Sequence, residues 1–76
     1  MSHTFTLQVS GIDITSNYED RLFNAGCDDA LAAVIGGSLY LDFDRDAASF
    51  ADAVDSATKD VERAGGHVES LVPPPG

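Results

Sequence analysis

Over residues 3–11 the chain reads "HTFTLQVSG", in which Phe5, Leu7 and Val9 alternate without a break with Thr4, Thr6, Gln8 and Ser10. Successive side chains leave an extended backbone on opposite sides, so this two-residue period marks a strand with one buried face. A strand of that kind needs a covering layer on its apolar side and leaves its polar side uncovered. Here the uncovered side is polar but carries no charge.

The same period returns after Gly36-Gly37. "SLYLDF" places Leu39, Leu41 and Phe43 on one side and Tyr40, Asp42 and Asp44 on the other. "LAAVI", residues 31–35, precedes the glycine pair and reads as its partner strand, since glycine supplies the positive φ angles of turns that match strand twist. Between the first strand and this hairpin, Ser16 and Glu19 have capping-box spacing. Tyr18, Leu22 and Ala25 recur at helical intervals, and Gly26 stands where a helix stops. The spacing predicts a short helix over residues 17–25. A longer one is predicted over residues 49–64, where Phe50, Val54, Ala57, Val61 and Ala64 form an apolar stripe. Ser49 and Asp52 mark its start and Gly65-Gly66 its end. "HVESLV" closes the pattern as a last strand, and "PPPG", residues 73–76, cannot join a sheet and reads as a tail.

Strand, helix, strand, strand, helix, strand is the split βαβ order of α+β ferredoxin-like domains, with two helices on one face of a four-stranded antiparallel sheet. One domain over residues 1–72 is expected. A chain of 76 residues buries only about 60% of its unfolded surface, so the core must be small. No apolar run approaches the roughly 20 residues of a membrane span, and a single cysteine, Cys27, allows no internal disulfide. Both point to a soluble protein of a reducing compartment, the cytoplasm.

Ten Asp and three Glu against four Lys plus Arg give a net charge of −9. That argues against direct binding of nucleic acid, whose phosphates would be repelled, and favours a basic partner or simple solubility. The densest carboxylates lie in "LYLDFDRDA", where Asp42, Asp44 and Asp46 are two residues apart. A calcium loop of the EF-hand type has that opening spacing. It also needs Gly at the sixth position and Glu at the twelfth, where this chain has Ala47 and Ala53. Acid and base catalysis needs carboxylates with separated pKa values beside a nucleophile, and none is nearby. The loop after the first strand, "GIDITSN", lacks the Cys-x-x-Cys of ferredoxin-like metal carriers. Cys27 alone reads as a small buried hydrophobe, and His3 and His67 as solvated residues near strand ends. No cofactor, metal or catalytic residue is expected.

The remaining reading is electrostatic. Alternate residues on a strand are about 6.7 Å apart, comparable to successive phosphates of a nucleic-acid strand. Asp42 and Asp44 share a face, Asp46 extends the line into a loop, and Asp28-Asp29 occupy the turn before the hairpin. Asp52, Asp55, Asp60 and Glu62 add a second acidic strip on the long helix. The candidate partner-binding set is Asp28, Asp29, Tyr40, Asp42, Asp44 and Asp46, with Tyr40 as an aromatic anchor.

Through "HTFTL", "GCDDA" and "LYLDFDRDA" the chain resembles, over about residues 3–72, the N-terminal αβ domain of small bacterial helix-turn-helix proteins of the regulator or antitoxin type. That family places its DNA contacts in the helix-turn-helix, and here "VESLV" runs into "PPPG" instead. The resemblance therefore implies an accessory module and transfers no functional residue. In size and charge the chain is also similar to the small acidic inhibitors of phages and mobile elements, anti-CRISPR proteins and other DNA mimics among them. The expected function is non-enzymatic: docking on a basic, nucleic-acid-binding surface of a larger protein or complex, as a monomer or weak homodimer. The alternative is an antitoxin-like interaction or dimerisation module.

Overall fold

The computed structural model describes residues 1–72, so the expected tail at 73–76 lies outside the described residues. The elements are β1 (Ser2–Ser10), α1 (Tyr18–Asn24), β2 (Ala30–Ile35), β3 (Ser38–Asp46), α2 (Phe50–Arg63) and β4 (His67–Val72). The four strands form one antiparallel sheet in the order β2-β3-β1-β4, the α+β ferredoxin-like arrangement that the alternation and element order predict.

The core lies between the sheet and the helices. Phe5, Leu7 and Val9 of β1 and Leu39, Leu41 and Phe43 of β3 are buried against Leu22 of α1 and Ala53, Ala57 and Val61 of α2. Alanine at the two central contacts of α2 lets its backbone approach the sheet closely. Phe5 stacks on Phe43 with ring centroids 5.3 Å apart, and Phe50 closes that end edge-on to Phe5 at 5.7 Å.

Both helices end where the sequence places a glycine. In α1 the amides of Gly26 and Cys27 donate back to the carbonyls of Phe23 and Leu22, and in α2 those of Gly65 and Gly66 donate to Glu62 and Val61. These are Schellman closures, and Gly26 (φ 108°) and Gly65 (φ 93°) supply the left-handed residue each requires. At the start of α2 the Ser49 hydroxyl accepts from the Asp52 amide, as expected.

The expected capping box of α1 does not form. The Ser16 hydroxyl donates to the Asp13 carbonyl, and helix entry falls to Asn17, which makes no side-chain cap bond. Asp13 organises the preceding loop instead, accepting from both the amide and the hydroxyl of Thr15. Those bonds favour its ionised form and lower its pKa. Local side-chain bonds of this kind compete with the helix cap for the same hydroxyl.

Candidate functional site

The β1–β3 register pairs Ser2 with Asp46, Thr4 with Asp44, Thr6 with Asp42 and Gln8 with Tyr40. Directly opposed residues point to the same side, so each carboxylate of the row stands beside a hydroxyl on the uncovered face. The Thr6 hydroxyl donates to Asp42. β3 runs on through Asp46, which is therefore a strand residue and not a loop residue. Its pKa is lowered, first by the hydrogen bond from the Met1 ammonium at 2.7 Å and then by that group's charge.

Asp42, Asp44 and Asp46 are exposed, and Tyr40 is half-buried at the other end of the row. A shallow hollow of about 330 Å3 lies beside them, lined by Thr4, Thr6, Leu31, Asp42 and Asp44 among others. A straight strand holds its alternate carboxylates apart, whereas a calcium loop curls to bring its oxygens onto one ion. Among the described residues no group of three or more His, Cys, Asp or Glu is placed to hold a metal. His3 is not the solvated residue expected, since it packs edge-on to Phe50 with its Nε2 buried and without a partner among the described residues, while His67 pairs with Ser10 at the opposite end of β1, about 24 Å away along the strand.

The chain's four basic side chains lie away from this face. Arg21 is on α1, Lys59 and Arg63 are on α2, and Arg45 points to the helix side of β3, where it is 8% exposed. The uncovered face thus shows three carboxylates in line with no Lys or Arg among them, of which Asp46 is paired with the Met1 ammonium and Asp42 and Asp44 meet no cation among the described residues.

Two members of the sequence-derived set are placed differently. Asp29 lines the same hollow as Asp42 and Asp44, and its carbonyl accepts from the Asp44 amide, but its carboxylate makes a two-pronged ion pair with Arg45, the oxygens 2.8 and 2.9 Å from Nε and Nη2. Asp28 is exposed, but on the rim of a separate groove of about 330 Å3 between α1 and β2, together with Glu19 and Asp20 over a floor of Leu22, Cys27 and Leu41. The second strip, along α2, is also interrupted. Asp55 pairs with Lys59 at 3.1 Å, and Asp60 is drawn inward by Arg45 at 2.9 Å and Arg63 at 3.1 Å.

Arg45 is the residue that sequence reasoning missed. Besides Asp29 and Asp60, its guanidinium donates to the Gly26 carbonyl (2.9 Å) and the Ser56 hydroxyl (3.2 Å), and it lies 5.0 Å over the Phe43 ring. It ties β3, α2, the end of α1 and the turn before β2 together, and the two carboxylates hold its charged form even more firmly than usual. The signal was present, since Arg45 continues the inward series Leu39, Leu41, Phe43. Next to it Cys27 is buried, and desolvation, then the Asp60 charge, push its thiol up to about 11. Such a thiol is a packing residue and a poor nucleophile.

No family model, curated protein or solved structure matches this chain.

Proposed function

We propose that this protein is a non-enzymatic binding protein whose acidic sheet face docks on a basic, nucleic-acid-binding surface of a larger protein or complex and blocks it. The observation that supports this reading is the Asp42, Asp44 and Asp46 row, exposed on an uncovered face from which every Lys and Arg is absent. The short Asp side chains sit close to a strand whose other side is locked in the core, so the charges are presented with little freedom. Their repeat of about 6.7 Å suits cationic side chains arranged to meet successive phosphates. Tyr40, half-buried beside Gln8, offers the row an aromatic neighbour. Of the other two candidates, Asp29 borders the same hollow with its charge paired to Arg45, and Asp28 lies on the α1 groove.

The test uses immobilised wild-type protein and the Asp42→Lys, Asp44→Lys double variant to capture partners from a host lysate. Fluorescence anisotropy then follows nucleic-acid binding by the captured partner. The wild type is expected to retain a partner and displace its nucleic acid, with binding that weakens as salt rises past physiological strength and the Debye length falls below about 8 Å. The double variant should fold and lose both effects. Undiminished displacement by the double variant, or simultaneous binding of protein and nucleic acid, would remove the reading.

A further inference from the structure

The two edges of the sheet are unlike. β4 carries Glu69 and His67, its pairing with β1 is interrupted by a bulge at Gln8/Val9, and three prolines without amide hydrogens follow it in sequence. These are devices by which sheets avoid pairing with another chain. β2, "ALAAVI", has none of them: no charge, no proline and an unbroken register with β3. Its large side chains are uncovered, with Leu31 78%, Ile35 64% and Val34 42% exposed. Leu31 and Ile35 stand beside Asp42 and Ser38 on the open face, which no helix covers, and Val34 is on the helix side, where α1, with 7 residues that bury only Leu22, does not reach it.

We infer that β2 pairs antiparallel with β2 of a second copy of this chain, joining two four-stranded sheets across a twofold axis at Ala33. The hydrogen-bonding pattern permits it. The two-residue Gly36-Gly37 turn makes Ile35 and Ser38 a bonded pair, so by alternation Leu31, Ala33 and Ile35 bond to β3. The amides and carbonyls of Ala30, Ala32 and Val34 are left facing outward. Opposed residues must share a face, so the axis passes through a residue and not between two, and of those positions Ala33 is the one that sets the two most exposed apolar side chains against each other. An axis at Ala33 sets Leu31 opposite the Ile35 of the partner subunit on the open face and Ala32 opposite the partner's Val34 on the helix side. The contact is self-complementary, as a twofold interface has to be.

Charge selects the same arrangement. An antiparallel pair puts Asp28 and Asp29 of each copy beside the uncharged Gly37-Ser38 end of the other, and the opposed residues, 30–36, are all neutral. Each copy still carries a net charge of −9. Salt therefore strengthens this association, the opposite of its effect on docking to a basic surface. The interface is small, and its affinity belongs to the weak class.

Sedimentation equilibrium of the full chain at up to about 1 mM should show a monomer–dimer equilibrium. It should tighten as salt rises from about 0.01 to 1 M and the Debye length falls from roughly 30 to 3 Å. Val34→Pro removes an outward amide that β3 does not use, and through the twofold axis two intersubunit bonds, so it should weaken the dimer roughly tenfold or more. Ala33→Asp sets like charges face to face at the axis and should weaken it up to about fivefold while the far-ultraviolet circular dichroism is retained. In a Cys27→Ala background, oxidation should cross-link Ala33→Cys into a dimer and leave Ala32→Cys monomeric. A chain that stays monomeric at every salt concentration would overturn the inference. So would species larger than a dimer, cross-linking through Ala32→Cys instead, or a dimer indifferent to both Val34→Pro and Ala33→Asp.

Discussion

Replacing Arg45 by alanine is expected to remove a large part of the fold's stability. The side chain makes five hydrogen bonds to Asp29, Asp60, Ser56 and the Gly26 carbonyl while itself buried. Removing one partner of a buried ion pair costs about 3–5 kcal/mol, because the other charge is left desolvated and unpaired. Here the low end applies. Asp29 keeps 29% exposure, and Asp60, at 17%, retains Arg63. A loss of about 3 kcal/mol remains. A domain of this length holds about 4 to 11 kcal/mol in all, so the melting temperature should fall by roughly 12–24 °C. Urea unfolding followed by far-ultraviolet circular dichroism measures this, with the slope expected to stay constant. Arg45→Lys keeps the charge but loses the fork that grips both Asp29 oxygens, and should lie between wild type and alanine. Adding Asp29→Asn to Arg45→Met should recover part of the loss, since it neutralises the orphaned carboxylate. A change below about 1 kcal/mol for Arg45→Ala would put the cluster in the class of surface ion pairs and refute the reasoning.

Gly26→Ala should destabilise by about 1–3 kcal/mol, because φ is 108° and the new Cβ would lie 2.9 Å from an Asp60 oxygen that binds Arg45. Gly65→Ala, with φ 93° and nothing within 4 Å, should show only the backbone part of that cost, about 1 kcal/mol. Cys27 keeps its proton to about pH 11 in the folded chain, whereas the unfolded thiol loses it near 9.0. The native state then binds more protons in that window, so stability should be level below about pH 8 and fall by about 2 kcal/mol between pH 9 and 11. Cys27→Ala should abolish that difference in pH-dependent unfolding, and wild-type Cys27 should resist iodoacetamide at pH 8 until the chain unfolds.

The parts of the fold set by local pattern were legible in the sequence. A two-residue period can be read directly, and it placed Phe5, Leu7, Val9, Leu39, Leu41 and Phe43 inside and Thr4, Thr6, Asp42 and Asp44 outside, each where the structure has it. What could not be read was long-range pairing between charges. Asp29 and Asp60 lie 16 and 15 residues from Arg45 and meet it only once β3, α2 and the α1 end are assembled. By spacing alone, Asp29 belongs with Asp28. The exposure of "LAAVI" was not legible either, since it depends on β2 lying at the edge of the assembled sheet. Whether a strand is covered depends on the length and path of a helix elsewhere in the chain.

The acidic row and the core are one decision. A slip of β3 by a single residue would turn Asp42, Asp44 and Asp46 toward the helices and expose Leu39, Leu41 and Phe43. Burying three unpaired carboxylates costs far more than any hairpin rearrangement could return, so the row is held in place as firmly as the residues behind it. Arg45 sharpens the separation, because it is an inward member of the same strand and takes Asp29 and Asp60 out of the surface field. The result is a sheet with an anionic face and, on β2, an uncharged edge, and these answer salt in opposite directions. On the proposed docking and the proposed β2 pairing, low ionic strength would favour the first and keep two −9 chains apart, whereas high ionic strength would weaken the first and favour the second. Salt concentration alone therefore tells which surface carries a given association.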